Sequence, residues 1–243
     1  AASFLLSRTA GNGYVAGTEF EGYNYFIGLG WDKGEHNFQF MLTGAPQVHN
    51  QRTTSFFNTA TIGDYLKFGK KYNYNHGYLN GEEFNWRRNF YHKPVSSFNW
   101  SWDINETSSL TTSAYASFGR GGGTGDIGRV DRRYASDGAF RDPNSGLVLW
   151  DEIVKANSGQ GGTFSNGFTY TNPADPSTGL QIVNDDELES TDLPAGLTKR
   201  NGLIRRASVN SHNWFGLLSN YNTKLNDKLT LDFGIDVRSY TGL

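Results

Sequence analysis

The sequence predicts an all-β, antiparallel fold, and three observations support that prediction. Aromatic residues (15%) and Gly (30 residues) are abundant, whereas there is one Met and no Cys, a composition typical of strands and turns. Three segments alternate apolar and polar residues with a period of two, as half-buried strands do. Each segment is split by a short polar turn, while the connections between segments are long.

The first hairpin is predicted over residues 23–43, with a turn at Asp32–Glu35. The second is predicted over 96–118, with a turn at Asn105–Ser108, and the third over 213–239, with a turn at Asn226–Lys228. Together they predict six strands. One face of these strands is apolar, at Tyr23, Tyr25, Ile27, Leu29, Trp31, Phe38, Phe40, Leu42, Phe98, Trp100, Trp102, Leu110, Phe118, Phe215, Leu217, Leu229, Leu231, Phe233, Ile235 and Val237.

The connections predicted over 44–94 and 119–207 are far longer than the ~15 residues usual in compact domains. Soluble sandwiches are the more frequent source of alternating strands, but strict alternation of short turns with long loops is typical of outer-membrane barrels. Strands of about ten residues tilted by about 45° rise roughly 23 Å, close to the ~25 Å apolar band of such barrels. The sequence therefore predicts an antiparallel transmembrane β-barrel segment with two long extracellular loops. Six strands are too few to enclose a useful lumen, so we expect a piece of a larger barrel or an association of chains.

Charge and Cys content exclude several classes of protein. The net charge of −2 argues against a nucleic-acid binder, and without Cys there are no disulfides or thiolate metal sites. No run approaches the ~20 apolar residues of a membrane helix, and the first residues do not resemble a signal peptide.

The run Phe118–Asp126, FGRGGGTGD, is the most glycine-rich part of the chain. A phosphate-binding loop requires Lys and Ser or Thr directly after the last Gly, but Gly125 is followed by Asp126 and Ile127. We therefore expect a glycine-permitted turn, where the fourth strand leaves the sheet and the longest outer loop begins.

Four segments resemble the barrel of TonB-dependent outer-membrane receptors of Bacteroidetes type, which carry a carboxypeptidase-regulatory-like domain before the plug. They are Gly44–Arg52 (GAPQVHNQR), Tyr72–Gly81 (YNYNHGYLNG), Asn85–Pro94 (NWRRNFYHKP) and Ser117–Asp126. The resemblance runs from about Gly13 onward and is densest between Gly44 and Pro94. It implies a barrel of about 22 strands filled by an N-terminal plug, on which a periplasmic TonB protein pulls. This chain, residues 1–243, then forms an internal fragment of the barrel, without the plug.

The first long loop has too many aromatic residues for a disordered segment. They either pack the loop into an ordered cap or face an outer vestibule with nearby arginines and contact a ligand or a surface lipoprotein lid. The candidate ligand-binding residues are Arg52, Trp86, Arg87, Arg88, Tyr91 and Arg120.

Metal and catalytic motifs are weak. The acidic segment Asn184–Glu187, with Glu189 and Asp192, lacks EF-hand spacing, so a solvated loop is favoured over a calcium site. The five His residues are scattered, and no nucleophile elbow is present. We expect no enzyme activity, no metal and no cofactor.

The sequence thus predicts a fragment of a transporter in the cell outer membrane that imports a scarce nutrient: a glycan, a peptide or a metal chelate. Its expected partners are outer-membrane lipid, the periplasmic TonB complex through the plug, and a surface lipoprotein lid, with no nucleic acid. The alternative is a secreted or surface β-sandwich that holds a glycan with its loop aromatics.

Overall fold

The computed structural model describes residues 1–52, 60–131, 133–174, 178–179 and 202–243, and there the protein is mostly β-strand with antiparallel pairing. The helices and strands in chain order are β1 (Ala2–Asn12), β2 (Glu19–Lys33), β3 (His36–Gly44), β4 (Gln47–Asn50), α1 (Ile62–Phe68), β5 (His76–Leu79), β6 (Glu82–Asn85), β7 (Arg88–His92), β8 (Val95–Asn105), β9 (Ser108–Arg129), α2 (Trp150–Asn157), β10 (Gly162–Thr163), β11 (Thr169–Tyr170), β12 (Gly202–Asn226) and β13 (Leu229–Gly242).

The large sheet has nine strands, but two pairs of them are single strands interrupted once. β3 and β4 both pair with β2 in one continuous register, and β7 and β8 do the same with β9. The interruptions lie at Pro46 and Pro94, which have no N–H to donate to the ladder. Their carbonyls still accept hydrogen bonds from the backbone N–H groups of Tyr23 (2.9 Å) and Phe118 (3.4 Å). The sheet is therefore an up-and-down meander in the order β1, β2, β3–β4, β7–β8, β9, β12, β13.

The three tight turns of the meander lie at 34–35, 106–107 and 227–228, all at the same end of the strands. The described parts of the connections between residues 13–18, 51–87 and 130–201 lie at the opposite end of the strands. The strands differ from the expected hairpins in three ways: β1 precedes them, β9 continues eleven residues past Phe118 to Arg129, and β12 begins at Gly202. The first long connection is also shorter than expected, because β4 and β7 extend the sheet into it.

The glycine run lies inside β9, so the expected turn there is wrong. Residues 120–123 pair with β7 on one side, and 119–129 pair with β12 on the other. Glycine is required because the neighbouring strands come close: a Cβ at Gly121 would lie 2.7 Å from the Tyr91 Cβ, and one at Gly122 would overlap the Ser208 carbonyl oxygen. Glycine inside a strand commonly marks such a close approach.

The buried apolar core lies in the connections rather than against the large sheet. We call the described parts of the two long connections (60–87, 130–131 and 133–174) the cap. α1 begins after Thr61, whose hydroxyl accepts from the Asp64 N–H while the Asp64 carboxylate accepts from the Thr61 N–H. The core members are Trp86, Val130, Ala135, Phe140, Val148, Trp150, Ile153, Ala156 and Phe164, with Leu203 from β12.

Candidate membrane-facing surface and outer cap

One face of the large sheet is apolar from strand to strand. Residues directly opposite each other in a ladder share a face, so the register places Ile27 beside Leu42, Phe98 beside Ala114, and Leu217 beside Val237. Many side chains on this face are exposed to solvent, with Phe233 63% exposed and Phe4 87% exposed. Contiguous exposed apolar surface of this extent marks contact with a membrane or another protein.

Aromatic rings lie side by side across this face, near the strand ends that carry the tight turns. The Trp31 ring stacks on Phe38 at 5.1 Å, and Trp100 stacks on Trp102 at 6.1 Å between ring centroids. The His36 ring lies 5.4 Å from the Trp102 ring, and its Nδ1 accepts from the Trp100 indole N–H at 3.1 Å. Amphipathic rings at the end of an apolar band are typical of the membrane–water interface.

The opposite face of the sheet is polar. Ser113 Oγ donates to Asn99 Oδ1 at 2.6 Å, and Asn222 Nδ2 donates to Asp232 Oδ1 at 2.6 Å. Arg238 forms an ion pair with Asp236 at 2.6 Å. Such side chains are typical of a sheet face that contacts water, whereas the opposite face is typical of one that contacts lipid or another protein.

The glycines of β9 seat larger side chains against this polar face. The His212 ring covers Gly119, the Tyr91 Cβ covers Gly121, and the Arg87 guanidinium lies 3.5 Å from where a Gly125 Cβ would be. In β12, Gly216 is covered in the same way by the Tyr115 ring. The glycine run thus lets side chains lie flat along the wall of the sheet.

The cap is an ordered, packed structure. Buried Trp86 donates its indole N–H to Asn75 Oδ1 at 3.0 Å and lies 5.1 Å from the Trp150 ring. Asn85 Nδ2 donates to the carbonyls of Gly17 (2.9 Å) and Gln51 (2.8 Å), which holds the cap to the connection between β1 and β2 and to the residue that follows β4. Asn157 exchanges two hydrogen bonds with the backbone of Leu203 in β12. Loop aromatics in the cap therefore include core residues, as the packing alternative expected.

The six candidate ligand-binding residues do not all converge on one site, although Tyr91 and Arg120 line a common pocket. Trp86 is 3% exposed and belongs to the cap core. Arg87 pairs with Asp126 at 3.5 Å. Tyr91 faces the polar side beside Gly121, whereas Arg88 and Arg120 lie at even positions of β7 and β9, on the same side as the apolar band. Arg52 is exposed beyond the end of β4.

A cluster of titratable residues links the cap to the connection between β1 and β2, and the sequence analysis did not predict this cluster. A hydrogen bond shared with Glu19 raises the pKa of the Glu83 carboxyl. Desolvation by burial raises the pKa of Glu19, but hydrogen bonds to Glu83, its own backbone and Asn50 together outweigh it, so that this pKa lies below its usual value. His76 is 4% exposed, lies 3.9 Å from Glu83, and has its pKa lowered by burial. Its ring also packs against Gly17. These residues are far apart in sequence, so no spacing could reveal them.

Arg205 is a second residue that sequence reasoning missed. Its Nε donates to the Trp86 carbonyl at 3.2 Å, and its guanidinium lies 5.0 Å from the Phe84 ring centroid. Partial burial, and then the positive charge of Arg88, lower the pKa of Arg205. It stands in the segment that was expected to be loop, and β12 brings it opposite Asp126.

Within the described ranges, no three His, Asp or Glu side chains are arranged to hold a metal ion. The acidic segment Asn184–Glu187, with Glu189 and Asp192, falls outside the described residues. Among the residues that the structure describes, no helix is long and apolar enough to cross a membrane. Comparisons with protein-family models, curated proteins and solved structures give no match to this chain.

Proposed function

We propose that this chain is part of the wall of an outer-membrane β-barrel transporter of the TonB-dependent type, with lipid against its apolar face and water against its polar face. The observation that carries the proposal is the two-sided sheet: one face is apolar across seven successive strands, with its side chains exposed or half-buried, while the buried core lies in the cap. Lipid is the solvent in which such a face is stable.

The sheet's edges support a barrel larger than this chain. Among the described residues, β1 pairs only with β2, and β13 pairs only with β12. Unpaired backbone groups cannot remain exposed in lipid, so further strands must cover both edges. In the proposal these strands, a plug and the TonB-contacting segment come from the rest of the receptor.

The alternative β-sandwich has less support. A sandwich buries its apolar face against a second sheet about 10 Å away. In the described part of the chain, the other sheets are the two-stranded β5–β6 and β10–β11. Both belong to the cap, so neither is large enough to cover the apolar face of the meander.

The transported nutrient in this proposal passes along the polar face, with the cap at its outer end. Tyr91 and Arg87 are the sequence-predicted residues on that side, and we propose them as the first ligand contacts to test. A surface lipoprotein lid fits the same end of the molecule, because the described parts of the long connections lie there.

The test uses the complete gene product that contains this chain. We expect it to be extracted from membranes only with detergent, to migrate differently on a gel before and after boiling, and to include a plug domain ahead of this segment. A product that is soluble without detergent, and whose gene encodes no plug, contradicts the proposal.

A further inference from the structure

A pair of arginines stands just beyond the apolar band, on the same face of the sheet. Even-numbered positions of β9 from Leu110 to Thr124 share that face, and the register places Thr124 opposite Ala207. Arg88 and Arg205, together with the neighbouring Arg206, line a pocket of about 370 Å³ there, with Val48 and Phe90 as its apolar wall. The apolar face thus continues upward into a cationic pocket.

Among the residues that the structure describes, the two guanidinium groups have no acidic partner within ion-pair distance. In the described ranges, none of the ion pairs involves Arg88 or Arg205. Nearby carboxylates are already engaged: Asp126 pairs with Arg87, and Glu21 pairs with Arg8 at 2.8 Å. Like charges brought together without a counter-ion repel each other, so this arrangement favours a bound anion.

An adjoining pocket extends the same surface. It has a volume of about 420 Å³, shares Val48 and Phe90 with the first pocket, and reaches Glu21, Tyr23 and Arg120. Apolar walls flanked by arginines suit a molecule with a hydrocarbon part and an anionic head. A soluble anion makes no favourable contact with the apolar walls, whereas a lipid contacts the walls with its hydrocarbon part and the arginines with its anionic head.

We propose that Arg88 and Arg205 bind the phosphate of a phosphorylated membrane lipid, whose acyl chains lie on the apolar face below. Arginine suits this role because its planar donors match phosphate oxygens in pairs. This inference rests on the proposed function, since the acyl chains need a bilayer beside the sheet. It makes this patch a lipid site rather than a part of the nutrient path.

The experiment titrates the complete gene product in maltoside micelles and counts bound lipid by native mass spectrometry. The probes are dioleoyl phosphatidic acid, dioleoylglycerol with the same chains but no phosphate, and inorganic phosphate. We expect phosphatidic acid to bind at least tenfold more tightly than dioleoylglycerol. Two arginines near a membrane surface contribute about thirtyfold together, so Arg88→Gln/Arg205→Gln should weaken phosphatidic acid by about that factor.

Two further variants separate binding from folding. Arg88→Gln alone leaves the Arg205 bond to Trp86 intact and should cost about fivefold. Lys70→Gln/Lys93→Gln removes the same charge from exposed positions outside both pockets and should change binding less than twofold.

Equal binding of the two lipids, or an equal loss in the lysine control, overturns the inference. So does inorganic phosphate that binds as tightly as phosphatidic acid, because the source is then a free anion. If lipid preference is absent while boiling still shifts gel migration, this inference fails and the barrel proposal stands. A product soluble without detergent instead removes the proposed function itself.

Discussion

Substituting arginine on one face of the sheet and then on the other distinguishes a sheet that spans a membrane from a sheet of a soluble protein. Ile235 lies on the apolar face and is 55% exposed, whereas Leu218 lies on the polar face, opposite Asp236, and is 36% exposed. The two positions are one step apart in register, because Ile235 pairs with Ser219. Ile235→Arg and Leu218→Arg therefore make a matched pair.

The expected loss of stability follows from the depth of Ile235 in the bilayer. Ile235 is six residues beyond Leu229, where the apolar face of β13 begins. At about 3.3 Å per residue and a tilt of about 45°, it stands roughly 14 Å up a band of ~25 Å, near the middle of the bilayer. Arginine facing lipid there costs about 2–4 kcal/mol. On a soluble sheet, a substitution at such an exposed position changes stability by less than about 0.5 kcal/mol.

The assay is equilibrium unfolding of the complete gene product from lipid vesicles, followed by Trp fluorescence in urea. We expect Ile235→Arg to lose about 2–4 kcal/mol of unfolding free energy and Leu218→Arg to lose less than about 1 kcal/mol. Equal effects of the two substitutions would refute the assignment of lipid to the apolar face.

Three further predictions concern the glycine run, the cap core and the cap junction. Gly122→Ala should destabilise the protein by about 1–3 kcal/mol in the same urea assay, because its methyl group overlaps the Ser208 carbonyl, whereas a Cβ at Gly123 meets its nearest neighbour at 3.6 Å and Gly123→Ala should be nearly neutral. Trp86→Phe leaves the buried side-chain oxygen Oδ1 of Asn75 without its donor and should cost about 1–3 kcal/mol, seen as faster hydrogen exchange in the cap; unchanged exchange contradicts this. Because the pKa of Glu83 is raised in the folded state, the stabilisation that Glu83 gives the folded protein is fully present below its unfolded pKa. This stabilisation is lost as the pH rises through the folded pKa. Protease cleavage of the cap should therefore increase over that window in the natural protein and lose this component in Glu83→Gln, while the neighbouring Glu82→Gln should retain it.

Much of the strand pattern could be predicted from sequence, because period-two alternation is a local property. The turns at 34–35, 106–107 and 227–228 fall within the polar segments expected to hold them. The prediction stopped at Phe118 because glycines carry no side chain to alternate. Only the register with β12 and β7 shows that residues 119–129 continue the strand. β1 was missed because it lies outside the three alternating segments, and its pairing with β2 is visible only in the sheet.

The candidate site was less predictable than the strands. Arg87 and Arg88 are neighbours in sequence, but Arg87 packs beside Gly125 while Arg88 lines the pocket on the apolar side. Which arginine faces which solvent depends on the register of β7, which sequence alone did not reveal. The Glu19–Glu83–His76 cluster and the Arg88–Arg205 pair unite residues from separate strands and the cap, so only folding brings them together.

The most direct test of the central claim uses the absence of Cys from this chain. Single Cys residues at successive positions from Leu231 to Val237, each carrying a nitroxide label in a complete gene product from which any other Cys has been replaced, report contact with lipid or water in vesicles. The account predicts that labels at 231, 233, 235 and 237 are relaxed by oxygen dissolved in lipid, and those at 232, 234 and 236 by a water-soluble nickel complex. Relaxation by the nickel complex at every position would contradict it.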